Sequence, residues 1–166
     1  MYTMMESANR RRKRPLRGRR LVVVDIENVV GGAVKDVEQA RSARIGVALT
    51  VDLQCDDQAV VGTSHIGLMP AGLGWPGARL VMQSGPDGAD LALLEVLTTE
   101  RLEQRFDEVV LVSGDGIFAD AVACLAGHGV SVTVVSRINA CSKRLRMAAT
   151  RTLFLDQRAL GMGDAA

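Results

Sequence analysis

Short apolar runs rich in β-branched residues recur along this chain, and each ends at a polar or glycine-containing break. The first, residues 21–24 (LVVV), stops at Asp25. Runs of this length and Val content pattern as buried strands. Residues 58–63, 78–83, 108–112 and 130–135 read as four further strands, and 152–155 as a last one. Between them the spacing changes. Val34, Val37, Ala40 and Val47 recur at roughly helical intervals, which predicts a helix over 34–49 after the break at Gly31 and Gly32. Leu91, Leu94 and Leu97 predict a second helix, with Asp87 as its N-cap and an end near residue 104. Residues 117–128 form a third, closed by Gly129, and Ser142 caps a short fourth through Ala149. Residues 64–77 contain Gly67, Pro70, Gly72, Gly74, Pro76 and Gly77 and read as a loop.

Strands that alternate with helices imply βαβ units and a parallel sheet, with helices on both faces. The expectation is a three-layer α/β/α domain, and 166 residues suffice for one such domain. In these sheets ligands bind just beyond the carboxyl ends of the strands. Hydrophobic residues make up 48% of the chain and aromatics only 3%, so the core must be built from Val, Leu, Ala and Ile. That composition suits strands covered on both faces. No apolar run approaches the roughly 20 residues of a membrane span. The N-terminus carries a charge run at residues 10–20 where a secretory signal would carry an apolar one, so a cytoplasmic protein without a membrane partner is expected. Cys55, Cys124 and Cys141 lack metal-finger spacing and are expected to be free thiols, mostly buried, with no assigned role.

Charge changes the picture. The net charge of +1 conceals eight Lys/Arg against the single acid Glu6 in residues 1–20, and 12 Lys/Arg against 18 Asp/Glu in the rest. The chain divides into a disordered basic arm (1–20), a folded domain (21–156) and a flexible tail (157–166). The arm reads either as a solvated leader or as a device that holds a polyanion near an acidic body; both readings stay open.

Two acids follow strands directly: Asp25 after residues 22–24 and Asp115 after residues 109–112. Parallel strands point their carboxyl ends the same way, so both acids are expected at one sheet edge. Asp90, in the first turn of its helix, is expected there too, and Asn28 can add a neutral oxygen or orient a water. Clustered carboxylates repel one another, and a hard cation such as Mg²⁺ or Mn²⁺ resolves the repulsion through oxygen ligands. Asp25, Asp90 and Asp115 are the candidate metal ligands. Each also has a plainer reading, as a strand-end turn residue, a helix N-terminal charge and a turn Asp respectively. Asp87 reads as a cap before it reads as a ligand. Asp120 lies within the next helix, facing either the site or solvent.

The segments Val22-Val-Val-Asp25-Ile-Glu-Asn28, Gly88-Ala-Asp90-Leu-Ala-Leu, Ser113-Gly-Asp115-Gly-Ile-Phe118 and Gly129-Val-Ser-Val resemble, in order and spacing, the NYN branch of the PIN-like nucleases. The resemblance spans about residues 21–155. It implies a sheet of strand order 3-2-1-4-5, a metal-dependent endoribonuclease acting on RNA phosphodiester bonds, and catalytic positions at Asp25, Asn28, Asp90 and Asp115. One position departs: the family often has a second Asp two residues after the Ser-Gly-Asp aspartate, and here Ile117 stands there. Asp120 is a possible replacement. The departure also admits a nucleic-acid-binding module with a degenerate site. A less close resemblance links residues 113–120 to haloacid-dehalogenase-type phosphatases, but Glu27 falls where those enzymes carry a second Asp.

Arg137, Lys143, Arg144 and Arg146 follow the fifth strand and so begin at the acidic edge. They are the candidate RNA contacts, against the plainer reading of a solvated helix face. With so few aromatics, binding is expected to be electrostatic and salt-sensitive.

Overall fold

The computed structural model describes residues 18–156 and Leu160; the arm up to residue 17 and most of the tail lie outside the described residues. Among the described residues six parallel strands form one sheet in the order 3-2-1-4-5-6. They are β1 (Arg20–Asp25), β2 (Gln58–Gly62), β3 (Arg79–Val81), β4 (Glu108–Val112), β5 (Ser131–Ser136) and β6 (Arg151–Phe154). The helices are α1 (Ile26–Val30), α2 (Val37–Val51), α3 (Leu68–Gly74), α4 (Gly88–Thr99), α5 (Ala119–Gly127) and α6 (Lys143–Ala148). The expected order therefore holds, with β6 added beside β5.

β1 is central because its side chains suit both faces. Val22 and Val24 pack with Ile26, Ala40, Val47 and Trp75 on the α1–α3 side. Leu21 and Val23 pack with Leu93, Leu111, Phe118 and Val122 on the other side, beneath α4 and α5. The pairing Val24 with Val112 and Asp25 with Gly62 aligns the ends of β1, β2 and β4. That alignment brings the loops after these strands to one edge.

Four expectations are corrected. Residues 64–77 are not all loop, because α3 lies within them. Its glycine content serves packing: a Cβ at Gly74 would stand 2.5 Å from that of Ala40, so the small residue lets α3 seat against α2. Pro70 sits in the first turn, where a missing N–H costs nothing. Second, Asp87 occupies the N-cap position of α4 in a left-handed conformation (φ 60°) but makes no capping bond through its side chain; Ser142 makes none at α6 either. Third, the cysteines are free but not mostly buried. Cys55 and Cys124 are exposed, the former in the turn before β2 and the latter on the outer side of α5, and Cys141 is half-buried. Fourth, helix limits shift: α2 begins after Asp36, whose side chain caps Gln39 N–H at 2.9 Å, and α4 ends at Thr99.

The last arginine of the basic run is a core residue. Arg20 opens β1 and is 3% exposed. Its Nε donates to Asp57 Oδ1 at 2.9 Å, and its Nη atoms donate to Val51 O at 3.0 Å and Asp52 O at 3.1 Å. A further Nη contact pairs it with the second Asp57 oxygen. The guanidinium thereby ties the C-terminal end of α2 to the start of β2. Breaking a buried pair leaves its partner charged and unpaired, at a cost of about 3–5 kcal/mol. Arg20→Ala should lower urea-unfolding stability by about that amount, and Arg20→Met with Asp57→Leu should recover most of it. Equal stability of Arg20→Ala and the parent would contradict a role for this pair.

Candidate active site

The carboxyl end of β1 is closed by a hydrogen-bonded network that crosses to β4. Asp25, 4% exposed, is the N-cap of α1. Its Oδ1 accepts from Asn28 N–H at 3.1 Å, and its Oδ2 accepts from the Ser113 hydroxyl at 3.2 Å. Ser113 Oγ also accepts from Asp115 N–H at 3.2 Å. Asn28 Oδ1 accepts from Gly114 N–H at 3.1 Å. Asp115 Oδ1 in turn accepts from Ile117 N–H at 2.9 Å and caps the short turn that precedes α5. The Asn28 oxygen is therefore occupied by the backbone of the Ser-Gly-Asp turn rather than offered to a water.

Asp90 enters from the first turn of α4. Its carboxyl and that of Asp25 are in hydrogen-bond contact. Burial raises the Asp90 carboxyl, and the negative charge of Asp25, the shared hydrogen bond and the charges of Asp115 and Asp87 raise it further, to about 7. Burial also raises Asp25, opposed by the hydrogen bonds from Asn28 N–H, Asp90 and Ser113. The two carboxyls share a hydrogen bond and consequently titrate as a unit.

Asp25, Asn28, Asp90 and Asp115 all line one cleft of about 450 Å³, as does Asp87. The structure thus brings the predicted acids to a common surface. It does not draw them into a closed ligand set: among the described residues no group of three His, Cys, Asp or Glu side chains is placed to hold a metal ion. Asp25 and Asp90 form the close pair, and Asp115 stands exposed beside them.

Other expected residues lie elsewhere. Asp120 does not line the cleft; it pairs with Arg144 at 2.6 Å on the exposed surface between α5 and α6. It does not fill the gap left by Ile117, whose side chain is 39% exposed. Lys143, Arg144 and Arg146 are exposed on α6, around the buried Leu145. Arg137 leaves the end of β5 and reaches over Gly31, at the C-terminus of α1: its Nη1 lies 3.0 Å from where a Cβ at Gly31 would stand. None of the four lines the cleft.

The cleft also holds Glu27, Ser64, His65 and Gln83, which reading the sequence for acids at strand ends passes over. Glu27 Oε1 accepts from Ser64 N–H at 3.0 Å and so fastens the loop after β2 to α1. A signal existed. His65 follows β2 and Gln83 follows β3, and in parallel sheets the residues just past strand ends face the ligand.

Gly114 admits the loop that backs the Ser-Gly-Asp turn. A Cβ at Gly114 would fall 2.0 Å from Ala140 O and 3.2 Å from Cys141 Cα, both backbone atoms. Ser142 N–H donates to Gly114 O at 2.8 Å across the same contact.

Fold and cleft together define a parallel α/β domain with an acidic edge. Residues 78–156 match the NYN domain family. The span includes Asp90 and Asp115 and leaves Asp25 and Asn28 outside it. A Vibrio parahaemolyticus protein of unknown function is 21% identical and superimposes with a TM-score of 0.54, covering 84% of this chain and 94% of that one. The two share a fold. A Leishmania major protein provisionally named a Mar1 ribonuclease is 14% identical with a TM-score of 0.40, over 86% of this chain and 81% of that one. No curated protein matches the sequence significantly. No helix among the described residues is long and apolar enough to cross a membrane.

Two expectations follow from the site. Gly114→Ala forces backbone atoms apart and should destabilise the protein by about 1–3 kcal/mol in urea unfolding; an unchanged midpoint would mean that the loop yields freely. The second concerns pH. The Asp90 carboxyl is raised to about 7 when folded, from the ordinary 3.8 that it has when unfolded. Between these values the folded protein holds more protons, so its stability falls as pH rises. In chelator, the melting temperature of the parent should drop from pH 4 toward pH 8 more than that of Asp90→Asn, leaving the variant relatively more stable at pH 8. Parallel profiles would contradict the raised Asp90 carboxyl.

Proposed function

We propose that the protein is a metal-dependent endoribonuclease that hydrolyses RNA phosphodiester bonds at the cleft between the ends of β1 and β4. The observation that carries this reading is the acidic pair Asp25–Asp90 beside Asp115, with Asp90 and Asp115 inside the NYN-matched span. Domains of this family are typically nucleases.

The donor set fits Mg²⁺ or Mn²⁺. Two carboxyl groups held together against their own repulsion are what a hard divalent ion relieves, and Mg²⁺ commonly takes only one or two carboxylates with water and substrate phosphate completing its shell. Asp25 and Asp90 would hold the ion, with Asp115 as the third carboxylate of the cleft. When bound, the ion neutralises phosphate charge and supplies an activated water. The remaining work falls to the chain itself. Asn28 N–H and the Ser113 hydroxyl keep Asp25 aimed while buried. Asn28 also holds the turn that carries Asp115. Asp90 must release its proton for the pair to act as two anions, so ion binding should strengthen as pH rises toward and past 7. Arg137, Lys143, Arg144 and Arg146, and the basic arm, would attract RNA to the rim of an otherwise acidic cleft. Cytoplasmic RNA is the natural substrate of this reading.

A second reading has its own observation. Ile117 takes the position of a family acid, and Asp120 is engaged by Arg144 instead of entering the cleft. A domain that binds RNA without cutting it is consistent with that arrangement.

Labelled single-stranded and hairpin RNAs, incubated with the full chain and Mn²⁺ or Mg²⁺, separate these readings. Cleavage should appear with metal, vanish in EDTA, and fall by about 100-fold or more in Asp90→Asn or Asp115→Asn. Cleavage that persists both in EDTA and in Asp115→Asn would sink the enzymatic reading. Binding with no cleavage under any metal would support the second, and phosphate release from small monoesters would point instead to phosphatase chemistry.

A further inference from the structure

The cleft is unbalanced in charge. Among its described lining residues Asp25, Glu27, Asp87, Asp90 and Asp115 are acids, and none is Lys or Arg. A polyanionic substrate meets five carboxyl groups there, and the basic residues singled out in the sequence stand outside. One metal ion at the Asp25–Asp90 pair would relieve the repulsion at that point and not along the rest of the wall. His65 is the one lining side chain that can carry positive charge, and imidazole offers an N–H donor in either protonation state.

Its placement fits a strand of nucleic acid. β1 lies between β2 and β4. His65 follows β2 and Asp115 follows β4, so the two flank Asp25 from opposite sides of the same edge. A chain laid across the ends of these strands would meet His65 on one flank of the acidic pair and Asp115 on the other. The loop that carries His65 is anchored at both ends of its approach. Glu27 holds Ser64 N–H at 3.0 Å, and His65 Nε2 lies 3.4 Å from Ser84 Oγ, which joins this loop to the one after β3. The ring is exposed and its position is set by these loops.

We propose that His65 is a substrate-binding residue that donates to a phosphate oxygen of the RNA strand, on the β2 side of the acidic pair. The proposal rests on the reading of the cleft as an RNA-phosphodiester site. It differs from that reading in assigning the binding contact inside the cleft to an imidazole distant in sequence from every acid of the motif.

The test uses the full chain and a short fluorescein-labelled single-stranded RNA. Affinity is read by fluorescence polarisation in Ca²⁺, and turnover in Mn²⁺. His65→Ala should weaken binding about 10-fold, the loss of one charge-assisted hydrogen bond. His65→Lys should stay within about threefold of the parent, since it keeps an N–H donor toward the phosphate. His65→Glu should bind more weakly than His65→Ala, because it adds a sixth carboxylate to the cleft. In turnover, His65→Ala should raise KM with kcat nearly unchanged, as for an interaction made equally in ground and transition states. Matching circular-dichroism melts would establish that the variants fold. Parent-like affinity in both His65→Ala and His65→Glu would overturn the proposal. If the parent binds RNA but never cuts it, the enzymatic reading fails while the same affinity series still decides the role of His65. If the parent neither binds nor cuts RNA, both are overturned.

Discussion

The hydroxyl of Ser113 stands where two strands and two aspartates meet. It donates to buried Asp25 and accepts from the N–H of Asp115. A carboxyl as deeply enclosed as Asp25 is costly unless its oxygens are bonded. The bonds come from Ser113 on β4's extension and from Asn28 N–H on α1. Asn28 then reaches back to Gly114, so the contact runs in both directions between the ends of β1 and β4. The geometry of the acidic edge follows from this small network. It sets how Asp25 points, how the Ser-Gly-Asp turn is shaped and where Asp115 emerges.

Holding Asp25 in place creates the conflict that Asp90 must meet. The first turn of α4 delivers a second carboxyl to one already buried, and both are driven toward the protonated form. Protonation eases the conflict, at the expense of stability at higher pH. Sites that sacrifice stability in this way are commonly functional ones. The cores on either side of β1 carry that burden, with side chains that are almost wholly apolar and closely packed. The glycines at the edge play a different part: they let backbone segments approach where any Cβ would intrude, at Gly114 against residue 140 and at Gly74 against α2.

Charge is one-sided within the cleft. The charged side chains that line the cleft are all acidic apart from His65, while Arg137, Lys143, Arg144 and Arg146 lie outside it. Some members of the basic runs have acidic partners. Arg20 is consumed by the core, where it joins α2 to β2 through Asp57. Arg144 is engaged with Asp120.

Much of the architecture could be read from the linear pattern, because buried parallel strands demand continuous β-branched runs and covering helices demand a different period. Residues 21–24, 109–112 and 132–135 announced strands for that reason, and parallel topology alone then carried Asp25 and Asp115 to one edge. Asp90 was legible as the first-turn acid of a leucine-rich helix. Other features had no local signature. The glycine-rich stretch around Leu68–Gly74 is helical because α2 offers it a surface, and Arg20 looked like one more charge until Asp57 enclosed it. Asp120 was undecided until Arg144 was placed beside it. The entry of Glu27 and His65 into the cleft, and the hydrogen bond shared by Asp25 and Asp90, depend on distances between residues far apart in the chain. Periodicity and spacing decide which elements form and which way their ends point. Burial, and with it the charge state of a side chain, is decided only when those elements close on one another.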